Sequence, residues 1–200
     1  MVKIAITGGI ACGKSLAGKT FEENGIPVRD TDDIAHELMQ PGDPVFDNVV
    51  KAFGAGILDD EHSIDRSVLG KLVFRDPEKL EQLNELVHPQ VMRVTAEWLQ
   101  AQEQDSQRVA AVMIPLLYER GMQSGWDAVL CVAAPHADQL RRLCARGLSR
   151  EDAEIRIRAQ LDVRQKMKLA DVVVFNSGSK ELLGDQTRRA IRQILENSDG

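Results

Sequence analysis

Eight consecutive residues near the amino terminus, Gly8-Gly9-Ile10-Ala11-Cys12-Gly13-Lys14-Ser15, have the spacing GxxxxGK[ST]. Glycines in such a loop let the backbone curl until successive N–H groups face one anion. A helix opening near Gly13 adds the positive end of its dipole. Lys14 then reaches the outer phosphates of a nucleoside triphosphate, and the Ser15 hydroxyl ligates Mg2+. A second cluster, Asp30-Thr31-Asp32-Asp33, places three carboxylates together. One of them could accept a proton from a hydroxyl attacking the terminal phosphate. The same acids also suit the cap and first turn of a helix running through Met39 and stopped by Pro41-Gly42. A third feature is basic: residues 141–168 hold nine Lys or Arg against four Asp or Glu, enough to clamp a small polyanion.

These groups need a frame. Val2–Thr7, Val28–Arg29, Val109–Ile114, Ala128–Val132 and Val172–Phe175 are short apolar runs that read as buried parallel strands. Helical patterns separate them. Asp76-Pro77-Glu78 reads as a cap followed by proline at the first helical position, and His88-Pro89 reads as a similar start for a helix through about Glu103. Ser149-Arg150-Glu151-Asp152 resembles a capping box opening a long, Arg-rich helix, and Ser179 suits the cap of a final helix through about Leu195. Only Asn197–Gly200 read as a frayed end. Strands alternating with helices predict an α/β fold with a parallel sheet. The phosphate loop follows strand one and the acidic cluster follows strand two. Both therefore lie beyond the carboxyl ends of strands, where open α/β sheets bind ligands. Residues 34–104 carry helical patterns and no strand, as expected of a helical insertion.

The chain has 200 residues, of which 43% are hydrophobic, 28% charged and 4% aromatic, with a net charge of −6. That composition excludes collagen-like, low-complexity and generally disordered classes. Acidity and scarce aromatics argue against binding nucleic acid. No apolar run approaches a membrane span, and the start MVKIAITGG lacks the features of a signal peptide, so a cytoplasmic protein is expected. Three cysteines without a CxxC pair read as reduced thiols.

From TGGIACGKS through DTDDIAHEL, HP, IPLLYE and GLSREDAEIRIRAQ to the asparagine of VVVFNSGS, the chain resembles the dephospho-coenzyme A kinases. The resemblance runs almost end to end. It implies a P-loop nucleoside-monophosphate-kinase-like core at about 1–33, 105–135 and 170–200, a helical substrate-binding insertion at about 34–104 and a lid at about 136–169. It also implies phosphorylation of the ribose 3′-hydroxyl of dephospho-coenzyme A by ATP with magnesium, the last step of coenzyme A synthesis. The family's DAD triplet aligns with Asp30-Thr31-Asp32 and carries the base to Asp32. Gly-Ser is usual in the family where this chain has Ala11-Cys12, and Thr or Ser where it has Leu16. Without the resemblance, the phosphate loop and Asp32 suit equally a kinase for another hydroxylated metabolite, or a nucleotide-dependent switch.

The remaining candidates are set by their places. Gly9, Ala11, Cys12, Gly13, Lys14, Ser15 and Leu16 form the ATP loop and its helix start. Arg141 or Arg142, Arg146 and Arg156 are candidates to close over the triphosphate. Asn176 ends strand five, where related kinases hold adenine; a turn and helix cap is the alternative. His88 sits in the substrate-side insertion. Pro115 should break the strand ladder, with Leu116 and Leu117 walling the substrate pocket or packing the core. Strands three and four do not end in aspartate, so Ser15, phosphates, water and Asp30 or Asp32 are left to hold the metal. Cys12 lies near N–H groups, a helix start and Lys14, all of which favour thiolate. It is therefore expected to alkylate in a manner that ATP slows, unless it points inward and is inert. Cys131 and Cys144 are expected to be shielded. A monomer or weak homo-oligomer is anticipated.

Overall fold

A computed structural model describes residues 1–198 of the chain. Two compact units emerge, one formed by residues 1–30 and 99–200, the other by residues 31–98.

The first unit is built on five parallel strands, β1 (Val2–Gly8), β2 (Val28–Asp30), β3 (Val109–Met113), β4 (Ala128–Ala133) and β5 (Val172–Phe175). Their order is β2-β3-β1-β4-β5. All four pairings are parallel, with Ile4 opposite both Ala111 and Ala128. Every residue of β4 is buried, because a parallel sheet covered by helices on both faces leaves no strand face for polar residues. Strand one is central. The chain leaves it toward β2 and β3 on one side and later crosses to β4 and β5 on the other. The loop after β1 thus lies at the switch point, where such sheets open a crevice.

Helix α1 (Lys14–Glu23) and the last helix, α9 (Lys180–Ser198), share the main core with the sheet. The buried residues of α9, among them Leu183, Thr187, Ala190, Ile191 and Ile194, recur at three- and four-residue spacing. Ser179 Oγ accepts the Leu182 N–H at 3.2 Å at its start. The end expected to fray is helical at Asn197 and Ser198, while Asp199 and Gly200 fall outside the described residues.

Three short helices, α6 (His136–Ala145), α7 (Arg150–Arg158) and α8 (Val163–Leu169), connect β4 to β5. Ser149 caps α7 through the Asp152 N–H, at 3.0 Å. The single long Arg-rich helix expected from that cap does not form. Helix α7 stops at Arg158, and Asp162 opens α8 by accepting the Arg164 N–H at 2.7 Å. An aspartate that satisfies the first-turn amides favours a fresh start over continuation.

The second unit is helical, with an isolated antiparallel bridge between Leu58 and Ile64. It comprises α2 (Thr31–Leu38), α3 (Pro44–Phe53), a 3-10 turn at Ala55–Ile57, α4 (Arg66–Phe74) and the first part of α5 (Pro77–Gln104). Ile34, Val49, Ile57, Leu69, Val73, Val87 and Val91 belong to a core of its own. Asp76 Oδ1 accepts the Glu78 N–H at 3.1 Å, as the Asp-Pro-Glu spacing predicts. His88-Pro89, however, starts nothing. Helix α5 runs through both residues, with Pro89 inside it. Proline forfeits one i→i−4 bond and crowds the carbonyl of Glu85. The buried face Asn84–Val87–Val91–Thr95 holds the helix together across that defect.

Among the described residues, no helix is long and apolar enough to cross a membrane.

Candidate active site

Strand β1 delivers the chain at Gly8, and the loop Gly9–Gly13 curls before α1 begins at Lys14. Two residues make the curl. Gly13, the N-cap, has φ 103°, and a Cβ there would lie 2.3 Å from Asn176 Nδ2, so only glycine fits. Ala11 has φ 56°, a left-handed conformation that a residue with a Cβ adopts at a cost of about 1–2 kcal/mol. Its methyl is compensated by burial against Leu143 and Ala153. Among the described residues no side chain caps α1, so its amino end keeps the character of an anion site. Lys14 Nζ lies over the loop's first carbonyls, 3.2 Å from Gly8 O and 3.1 Å from Gly9 O. Ser15 is exposed in the first turn, and Leu16 packs against the main core.

Other elements brace the loop. Arg142 of α6 donates from Nη1 to Ala11 O at 3.0 Å and from Nη2 to Asn176 O at 3.1 Å. Asn176, just past β5, donates from Nδ2 to Cys12 O at 2.8 Å and from its backbone N–H to Ala133 O at 2.7 Å. Arg142 and Asn176, both picked from sequence as nucleotide contacts, are thus drawn together as braces of the phosphate loop. Arg146 is exposed at the end of α6.

For Cys12 the inward-pointing reading holds and the thiolate reading does not. Its side chain has no exposed surface. Burial pushes the thiol pKa up despite Lys14, the Gly9 and Ala134 backbone and Arg142. Desolvation outweighs the local dipoles because the sulfur points inward. Cys131 is also buried, its pKa pushed up to about 12 mainly by burial, whereas Cys144 is exposed rather than shielded.

Beyond β3, Ile114 N–H still reaches Ile6 O at 2.9 Å, and Pro115 then ends the ladder. Leu117 is fully buried, so it packs the interior rather than walling an open pocket; Leu116 is half-buried. Sequence reasoning missed the buried charges beside this turn. Lys166 of α8, with no exposed surface, donates to Pro115 O at 2.6 Å and pairs with Glu119 Oε1 at 2.7 Å. Glu119 Oε1 also accepts the Leu161 N–H at 2.9 Å. The adjacent Gln160 accepts the Ile10 N–H of the phosphate loop at 2.8 Å. Nothing in spacing or composition singles out these three side chains.

Strand β2 passes directly into α2, so Asp32 and Asp33 occupy a helical first turn. Asp32 is exposed two residues past the carboxyl end of the strand. In the second unit, His88 is half-buried on α5. Among the described residues, no group of three or more His, Cys, Asp or Glu could hold a metal alone. The donors on offer, a serine hydroxyl and separate carboxylates, are oxygen ligands of the kind a hard divalent cation takes alongside waters and phosphate oxygens.

A family model described as dephospho-CoA kinase matches residues 2–181. A dephospho-CoA kinase from Carboxydothermus hydrogenoformans is 42% identical over 194 residues, spanning 96% of this chain and 92% of its own length. Two solved structures are similar over most of the chain. A Thermus thermophilus protein aligns with TM-score 0.78 and 35% identity over 98% of this chain and 97% of its own. The dephospho-CoA kinase of Campylobacter jejuni aligns with TM-score 0.63 and 27% identity, covering 96% of each. With a phosphate loop at the switch point of a five-stranded parallel sheet and a family match over nearly its whole length, the chain belongs to the dephospho-CoA kinase family.

Proposed function

We propose that the protein transfers the γ-phosphoryl group of ATP to the ribose 3′-hydroxyl of dephospho-coenzyme A, giving coenzyme A and ADP. The observation that carries this reading is the family match over residues 2–181. The geometry of the loop supports it.

The triphosphate lies along the loop from Gly9 to Ser15 and against the amino end of α1, where N–H groups and the helix dipole favour an anion. Lys14 swings from the Gly8 and Gly9 carbonyls to the outer phosphates. Asp32 orients the 3′-hydroxyl and takes its proton as the new P–O bond forms and the bond to ADP breaks. Its placement past the carboxyl end of β2 and in the first turn of α2 supports this role. Arg142 and Arg146 neutralise charge on the transferring group, within a segment, about 136–169, that acts as the lid. Asn176 holds the adenine side of the site through the backbone. His88 of the helical insertion at about 34–104 is one substrate contact, and Pro115 and Leu116 after β3 are others. Ser15 would hold Mg2+, together with phosphate oxygens, waters and Asp30 or Asp32. When bound, the ion neutralises phosphate charge. Positioning and electrostatics supply most of the rate, because the protein itself forms no covalent bond. The reaction is placed in the cytoplasm, carried out by a monomer or weak homo-oligomer.

Coupled ADP release against a panel of hydroxylated acceptors tests the reading. Turnover should require dephospho-coenzyme A and Mg2+ together. Equal or faster turnover with shikimate, gluconate or a nucleoside monophosphate would overturn it.

A further inference from the structure

The loop is strained at Ala11, and the strain is held from both sides. Arg142 binds the Ala11 carbonyl at 3.0 Å, and Gln160 binds the preceding amide, Ile10 N–H, at 2.8 Å. Left-handed conformations of non-glycine residues persist only where the surroundings over-determine them. Gln160 can act only if its own backbone is fixed, and it lies in the irregular stretch between α7 and α8. There Glu119 Oε1 takes the N–H of the next residue, Leu161, while pairing with the fully buried Lys166. Lys166 in turn holds Pro115 O. Glu119 Oε2 is buried with no hydrogen-bond partner among the described residues. The pair ties α8 to the turn after β3 and so fixes the stretch that carries Gln160.

We propose that Gln160 is a positioning residue of the phosphate loop. Its side-chain oxygen holds the Ile10 amide and so the left-handed Ala11, from a segment clamped by the Glu119–Lys166 pair. The Ile10 amide is thereby committed to the protein, and the loop keeps its binding shape before the triphosphate arrives. This inference rests on the reading that the loop binds ATP.

The test is Gln160→Met, which keeps length but removes the acceptor at a half-buried site. Hydrogen exchange at the Ile10 amide, read by NMR without nucleotide, should quicken roughly five- to tenfold, the worth of one modest hydrogen bond. The KM for ATP should rise by a similar factor with kcat within about twofold. In an Ala11→Gly background, where φ 56° is no longer strained, the KM effect of Gln160→Met should shrink to about twofold. Glu119→Ala should copy the KM rise, and Glu119→Gln, which keeps an oxygen for Leu161, should lie closer to wild type. An Ile10 amide indifferent to Gln160→Met, or faster exchange with unchanged KM, would overturn the proposal. Wild-type protein that fails to use ATP would instead overturn the functional reading, because the amide measurement needs no substrate.

Discussion

Replacing Gly13 with alanine tests how the phosphate loop is assembled. Two costs can be worked out separately. At φ 103° an L side chain is strained by about 1–2 kcal/mol. The new Cβ would also stand 2.3 Å from Asn176 Nδ2 and 3.3 Å from Leu183 Cδ2. Asn176 must turn away and give up its 2.8 Å bond to Cys12 O. A buried acceptor left unpaired costs about 1–3 kcal/mol more. The sum, about 2–5 kcal/mol, is a large share of a total stability of about 5–15 kcal/mol. At about 2–4 °C per kcal/mol for a chain of this size, Tm should fall by roughly 4–20 °C. Gly125→Ala is the control: its φ is 90°, yet nothing lies within 4 Å of the added carbon. It should lose only the strain contribution. Calorimetry of both variants, with Asn176→Ala alone and combined with Gly13→Ala, reads the clash as non-additivity. The double variant should be less destabilised than the two singles together. Equal losses for Gly13→Ala and Gly125→Ala, or full additivity with Asn176→Ala, would refute the packing argument.

A small alkylating agent should label Cys144 first and leave Cys12 untouched with or without ATP, since only Cys144 is exposed; mass spectrometry of partly modified protein decides. Tyr118, its hydroxyl buried without a hydrogen-bond partner among the described residues and its pKa pushed up to about 12 by burial and then by Cys131 and Asp171, bears on alkaline stability. A raised folded pKa leaves stability intact below the unfolded value of about 10 and erodes it as pH climbs from there toward 12. Tyr118→Phe should therefore match wild type at pH 7 and lose less Tm between pH 10 and 12; an unchanged alkaline slope would contradict this. Asp32→Asn should lower kcat by about 10²–10⁴ while ATP affinity changes little. Wild-type turnover in the folded variant moves the base to Asp30.

Local signals are legible wherever a residue's own chemistry decides its conformation. The five strands are written as apolar runs, and the phosphate loop as glycines at obligatory spacing before a lysine and serine. The starts at Asp76, Ser149 and Ser179 are written as side chains that satisfy their own helix amides. Those interactions span a few residues, so spacing contains them. Proline at 89 misleads because its local penalty is outweighed by a buried helix face that only packing reveals. Cys12 misleads for the same reason: nearby dipoles argue for a thiolate, but the direction of the side chain is set by the core beneath it. Contacts across long stretches of chain are silent in sequence. Ile10 meets Gln160, Ala11 meets Arg142, Cys12 meets Asn176, and Glu119 meets Lys166 only once the sheet order sets β4 and β5 beside β1. The loop's capacity to bind phosphate was determined by the sequence alone. The braces that hold it in shape were decided by tertiary structure, since a hydrogen bond between distant residues exists only where the fold brings donor and acceptor within 3 Å or so.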